Sequence, residues 1–258
     1  MDAMRGTEQL KPYADDAREK GEQVETMFNT IAPTYDTLNH LLSLSIDRLW
    51  RRTAARQLQR LCASPPGQVL DVGTGTGDLA IGIHRRTGAH VLGIDISDDM
   101  MERGRRKVAR AGLSDAITFA HENCEALSLP DDSMDGVASA FALRNFQHLL
   151  PCLREMERVL RPGAPVVLID LCAPRHFPMK QLFALYEHVL IPLAGKLAAG
   201  DKRAYTYLPA SMRAVLQGAD MAAQLQQAGF ADVRFRRLLC GMCLMYWAKK
   251  QPAPQAGG

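Results

Sequence analysis

The sequence predicts an α/β fold, a seven-stranded, mostly parallel sheet with a helical lid over its carboxyl edge. Three observations carry this. Strand-type and helix-type runs alternate from residue 68 to 170 with short turns between them, a pattern that demands parallel strands joined by right-handed crossovers. The run Val69 to Ala80, VLDVGTGTGDLA, reads as an apolar strand, a glycine turn and a helix start, and a second strand ends on Asp95 about twenty residues on. Two long β-runs then close the pattern at 231–239 and 242–248.

In chain order, strands are predicted at 68–72, 90–95, 116–120, 136–141 and 166–171, with helices at 78–86, 98–111 and 149–160 between them. Arg161-Pro162-Gly163 stops the third helix and launches the fifth strand. A helix at 220–228, ended by Gly229, precedes the last two strands. Two apolar, aromatic stretches stand outside the alternation, at 24–61 and 176–208, and are expected to cover the acceptor side of a site at the sheet's carboxyl edge. The first interleaves Met27, Phe28, Leu49 and Trp50 with Arg48, Arg51, Arg52, Arg56 and Arg60.

The turn Gly73, Gly75, Gly77 with Asp95 beyond it is the front half of a nucleotide-cofactor site. Gly75 to Ala80 fits G-x-G-x-x-A, so spacing alone admits a dinucleotide. Asp71 argues against one: a carboxylate in the turn would repel a pyrophosphate by roughly 1–4 kcal/mol. The same charge suits the cationic amino-acid head and sulfonium of S-adenosylmethionine. A dinucleotide and a purely structural Gly/Thr turn stay as alternatives.

The chain has 258 residues, 47% hydrophobic and 23% charged, enough for one large core or a core with a small cap. With 31 Lys+Arg against 28 Asp+Glu the net charge is +3, which makes no demand for nucleic acid and only weakly favours a membrane surface. Residues 1–20 mix charges without an apolar segment, and no run reaches the roughly eighteen apolar residues of a spanning helix. A cytosolic protein, at most peripheral on a membrane, is expected. Residues 23–250 are read as a single domain, with 1–22 and 251–258 lacking fixed structure. Cys240-Gly-Met-Cys243 lies in a strand-like apolar run with no partner pair, and the histidines share no ligand spacing. Free thiols and no metal site are therefore expected.

Several separated signatures resemble the quinone-biosynthesis C-methyltransferases of the UbiE/COQ5/MenG family, over about 24–250. They are Phe28-Asn-Thr-Ile-Ala-Pro-Thr-Tyr35-Asp36 with Asn39, Ser43, Trp50 and Arg51; the glycine turn; GIDIS with Met100; and Asn123-Cys124-Glu125-Ala126-Leu127. Phe141-Ala-Leu-Arg144-Asn145-Phe146 and Tyr205-Thr-Tyr207-Leu208-Pro209 with Ser211 follow. The chain departs from the family pattern at Ala140, at Ser128-Leu129, at Ala164 and at Ala210, on the acceptor side or in turns.

The resemblance implies a class I, Rossmann-like methyltransferase. It would use S-adenosylmethionine to methylate a ring carbon of a polyprenylated quinol, demethylmenaquinol or 2-methoxy-6-polyprenyl-1,4-benzoquinol. By matching positions, Asp71, Gly73, Thr74, Gly75 and Gly77 would surround the methionine part, Asp95 would take the ribose hydroxyls, Asn123 and Cys124 the adenine, and Ala140 would complete the cofactor site. Arg144, Asn145 and Tyr35 are the catalytic candidates: the guanidinium would hold a phenolate or polarise a water, and the other two would orient it. Asp36, Asn39, Tyr205, Tyr207 and Ser211 are candidates for lining the acceptor cavity. Peripheral membrane contact and a homodimer are compatible with this reading. So are two other functions: methylation of an amine or a sterol-like lipid, and non-catalytic binding of S-adenosylmethionine or lipid in a quinone-synthesis complex.

Overall fold

The computed structural model of the protein describes residues 7–37, 43, 45–174, 177–185, 187–188 and 202–253, with backbone only at 202–205 and 240. In chain order the helices are α1 (Lys20–Ile31), α2 (Ile46–Leu61), α3 (Asp78–Thr87), α4 (Asp98–Arg110), α5 (Leu149–Val159), α6 (Met179–Leu185), α7 (Lys202–Ala214) and α8 (Ala219–Gln227). The strands are β1 (Gln68–Val72), β2 (His90–Asp95), β3 (Ile117–His121), β4 (Gly136–Ala140), β5 (Pro165–Leu171), β6 (Phe230–Leu238) and β7 (Cys243–Lys250).

All seven strands form one sheet in the order β3-β2-β1-β4-β5-β7-β6. The first five are parallel, and β7 runs antiparallel to both β5 and β6. Successive side chains serve opposite faces, and both faces are covered. Leu70, Val72, Val137 and Leu168 enter the core that contains Leu153 and Met156 of α5 and Leu225 of α8. Val69, Ala138, Val167 and Ile169 pack with Trp50 and Leu58 of α2 and with Leu79 and Ile83 of α3. Strand order reverses between β1 and β4, so the carboxyl ends of these two strands frame a crevice.

Boundaries differ from the predicted ones by at most one residue except at β7, which runs two residues further, to Lys250. The end of β4 has a physical cause: Phe141, expected inside the strand, has φ +66° and turns the chain out of the sheet. Ser97 caps α4 by accepting from the Met100 N–H (3.3 Å), and Gly88 (φ +76°) ends α3.

Two further expectations are corrected. Helix α2 is part of the core rather than an acceptor cover: Trp50, Ala54, Ala55 and Leu58 make a buried stripe against the sheet, while Arg48, Arg52, Arg56 and Arg60 face water. Among the described residues of the first apolar stretch, α1 and Tyr35 beyond it reach the carboxyl edge. Residues 7–22 are held in place, with Tyr13 and Lys20 buried, the Tyr13 N–H donating to Gln23 Oε1 (2.9 Å) and the Leu149 N–H to Glu8 Oε1 (3.2 Å). Within the second stretch, α6 leaves Phe177 just before it 81% exposed and carries Leu182 and Leu185 on its surface. Residues 189–201 and 254–258 lie outside the described residues, and among the described residues no helix is long and apolar enough to cross a membrane.

Candidate active site

The site starts with the turn after β1. Gly73, Gly75 and Gly77 all have positive φ (+66°, +53° and +78°). A Cβ on Gly73 would lie 2.4 Å from Ala142 Cβ, so the approach of this turn to the end of β4 requires glycine. Asp95 binds the turn to β2: its Oδ2 accepts from the Gly75 N–H (2.8 Å) and its Oδ1 from the Ser97 N–H (3.0 Å). Burial raises its pKa against the pull of these N–H groups.

Over this turn lies a cavity of about 410 Å³. Gly73, Gly75, Asp95, Asn123, Cys124 and Ala140 line it, with Tyr35 and Asn145. Thus eight residues singled out from the sequence share one wall system. Helix α1 roofs it with Glu22, Val24, Glu25 and Phe28, which the sequence did not mark as cofactor residues. Phe141 stands in the wall with its ring edge-on to Trp50 (6.1 Å) and under the Arg51 guanidinium (4.9 Å).

Asp71, Thr74, Gly77 and Arg144 do not line the cavity. Asp71 is fully buried one layer below, where Oδ2 accepts from Thr74 Oγ1 (2.8 Å) and Oδ1 has no partner. Burial pushes this carboxyl up to about 7.

The expected phenolate-holding guanidinium is already engaged. Arg144 Nη1 forms an ion pair with Asp170 and donates to the Phe141 carbonyl (2.7 Å), while the Arg144 N–H donates to Asp170 Oδ2 (2.9 Å). Burial opposes the guanidinium's charge, but Asp170 and nearby Tyr35 hold its pKa above the ordinary value. Its Nε is buried without an acceptor among the described residues. Tyr207 OH is also buried with no partner among the described residues, and burial raises its pKa despite the Arg144 charge. Asp170 escaped the sequence reading, although a carboxylate in the apolar run Val166-Val-Leu-Ile-Asp170 was the signal for it.

The other acceptor-side candidates divide. Asp36 is turned to the outside of the glycine turn, accepting from Thr76 Oγ1 (2.7 Å) and pairing with Lys107 (2.6 Å), which also bridges to Asp78 (2.7 Å). It braces the turn and leaves its neighbour Tyr35 in the cavity. Ser211 is buried with its hydroxyl on the Leu208 carbonyl (2.8 Å), a bond inside α7. Asn39 and the Tyr205 side chain lie outside the described residues.

Lys20 was also missed, because it begins a helix inside a segment expected to lack structure. It is 1% exposed, and its Nζ donates to the carbonyls of Thr7 (2.7 Å), Phe146 (2.8 Å) and Arg144 (3.1 Å). Burial lowers its pKa to about 8, so it is charged at neutral pH. A cation in the first turn of a helix, where the helix dipole disfavours it, was the available hint.

The residues fit a compact cationic nucleoside cofactor. Among the described residues the cavity carries Glu19, Glu22, Glu25, Asp95, Glu122 and Glu125 but no lysine or arginine, a lining that repels a pyrophosphate and attracts a sulfonium. Beneath the glycines, the unpartnered Asp71 Oδ1 offers a further acceptor for positive charge.

Known proteins are similar to this chain over most of its length. A demethylmenaquinone methyltransferase of Bacteroides fragilis is 47% identical over 244 residues, covering 94% of this chain and 98% of that one. The Geotalea daltonii protein named ubiquinone/menaquinone biosynthesis C-methyltransferase UbiE is 38% identical, covering 90% and 98%. Among solved structures, a SAM-dependent methyltransferase from Aquifex aeolicus superposes with TM-score 0.56 at 22% identity, covering 76% of this chain and 88% of that one, a likeness of fold. The model of the ubiE/COQ5 methyltransferase family matches residues 16–250, so the glycine turn, the roofing helix and the Arg144-Asn145 turn all fall inside it, and the chain belongs to that family.

Proposed function

We propose that this protein transfers the methyl group of S-adenosylmethionine to a ring carbon of a polyprenylated quinol, demethylmenaquinol or 2-methoxy-6-polyprenyl-1,4-benzoquinol, in menaquinone or ubiquinone synthesis. The observation that carries the reading is the single cavity in which the glycine turn and Asp95 meet Tyr35 and Asn145. The relatives' names favour the naphthoquinol, since the Bacteroides fragilis protein is called a demethylmenaquinone methyltransferase.

S-adenosylmethionine supplies an activated methyl on a sulfonium, which leaves this chain to position the acceptor and make its ring electron-rich. Gly73 and Gly75 let the methionine part approach the backbone. The carboxylate oxygens of Asp95 each hold one N–H and keep a second lone pair for the ribose hydroxyls. Asn123 and Cys124 flank the adenine end.

On the acceptor side, a quinol hydroxyl with pKa about 10 must lose its proton before the ring carbon attacks. Tyr35 and Asn145 orient that hydroxyl, or the water that takes its proton. Arg144, whose Nη1 is committed to Asp170, acts from behind the wall: its charge favours a phenolate in the cavity, and its Nε and the Tyr207 hydroxyl are buried donors that a water behind the wall would satisfy. The tail reaches the site from the membrane, on which the protein docks peripherally from the cytoplasmic side.

The test is incubation with methyl-labelled S-adenosylmethionine and soluble short-tailed quinols of both ring types, beside amines. Label on a quinol ring carbon is expected. Label on the amines alone, or on none of the acceptors, overturns the proposal.

A further inference from the structure

We propose that Lys20 is a positioning residue for methyl transfer, its ammonium tying the helix that roofs the cavity to the turn that carries Asn145, so that the two walls close as one. The inference rests on the methyl-transfer reading above.

Burying an ammonium costs several kcal/mol unless its protons are matched, and here each has a carbonyl. Two of these carbonyls, of Arg144 and Phe146, straddle Asn145, which is in the cavity wall. The third belongs to Thr7, so the segment before α1 joins the same knot. Beside Lys20, the Gly21 N–H donates to Gln147 Oε1 (2.9 Å), a second tie between helix and turn. The other end of α1 is fixed to the start of α4, where Ser97 Oγ donates to Asn29 Oδ1 (2.6 Å). Between these pins the helix presents Glu22, Val24, Glu25 and Phe28 to the cavity. Glu8 and Glu125 also act electrostatically on the ammonium, favouring its charge, and Arg144 opposes it.

With this knot intact, ordering α1 over the methyl donor also orders the backbone on both sides of Asn145. Without it, the roof can lift and Asn145 loses its reference to the donor, a misplacement of the kind that costs orders of magnitude in rate.

Lys20→Met keeps the side-chain length and removes the donors. We expect the KM for S-adenosylmethionine to rise at least tenfold and kcat at saturating donor to fall at least tenfold. Hydrogen exchange should quicken in 7–25 and 143–147 and stay unchanged in β1 to β5. Gln147→Met removes the Gly21 tie together with the longer Gln147–Glu19 contact (3.4 Å), keeps the side-chain length in the cavity wall, and provides a milder test should Lys20→Met fold poorly; a rise of a few-fold in donor KM with faster exchange at 19–25 is expected. Wild-type KM and kcat in folded Lys20→Met, or loss of protection spread evenly over the sheet, would overturn the proposal. Donor affinity measured by calorimetry without acceptor separates the two readings: a wild-type protein that binds donor but methylates no quinol overturns the function and leaves Lys20 to be judged by affinity and exchange.

Discussion

A single carboxylate can report on the state of the whole site. Asp71 has an ordinary pKa near 3.8, and burial raises it to about 7 in the folded chain. A raised acid stabilises the fold fully below its unfolded pKa, and that contribution is lost as pH climbs through the folded value. Asp71→Asn removes the titration. In denaturant melts without cofactor, the variant should therefore gain on the wild type between about pH 4 and 7, by up to about 4 kcal/mol at 1.36 kcal/mol per pH unit. A bound cation favours the ionised form, so S-adenosylmethionine should bind the wild type more tightly as pH rises through 7, and Asp71→Asn should show no such trend. Parallel melts at every pH would refute this account. The sequence made the presence of Asp71 below the turn legible, because the strand, the glycines and the acid are contiguous. Its depth was not legible, because that depends on Thr74 turning its hydroxyl inward and on the cover supplied by distant helices.

At the scale of the element, the Leu143–Asn145 turn after β4 shows why neighbours in sequence can have different tasks. Asn145 faces the cavity and Arg144 faces β5, because the turn's backbone is fixed by Asp170 on one side and Lys20 on the other. Arg144→Leu should cost about 3–5 kcal/mol of stability by leaving Asp170 buried and uncompensated. The double variant Arg144→Leu with Asp170→Leu should recover most of that loss, yet stay a hundredfold or more below wild-type turnover with donor affinity nearly unchanged. Wild-type turnover in the double variant would make the pair purely structural. The motif Arg144-Asn145 could be read from the sequence, while the partner that redirects the guanidinium lies 26 residues on and is joined only through the sheet. Helix α2 has the same character. Its apolar stripe was visible, but whether that stripe meets the sheet or the acceptor is settled by packing, and Trp50 and Leu58 chose the sheet.

For the whole molecule, the seven strands and their crossovers were legible because periodicity and glycine punctuation are local signals. Membrane approach is a property of the surface. Arg51 pairs with Asp47 and stacks on Phe141, so it is withdrawn from any docking face. Arg48, Arg52 and Arg56 stay in water along one side of α2, and Phe177, Leu182 and Leu185 are exposed apolar residues elsewhere on the surface. At roughly 1 kcal/mol for each cation near an anionic surface, replacing the three arginines by glutamine should weaken sedimentation with anionic liposomes at low salt by about a hundredfold. Equal binding of wild type and variant would assign these arginines to solubility alone.

The antiparallel return of β7 has a consequence for how the molecule is made. Synthesis delivers β5 early, but the strand that completes its free side comes only after α6, α7, α8 and β6 have been added. During that interval a nascent chain displays an almost wholly apolar strand whose backbone donors and acceptors invite any extended peptide. The permanent edge left at the end, β6, is of a different kind, since Arg234, Arg236 and Arg237 line it in water and discourage pairing with another copy. The chain thus exchanges a dangerous temporary border for a charged lasting one, and a protein shortened before Cys243 would keep the dangerous one.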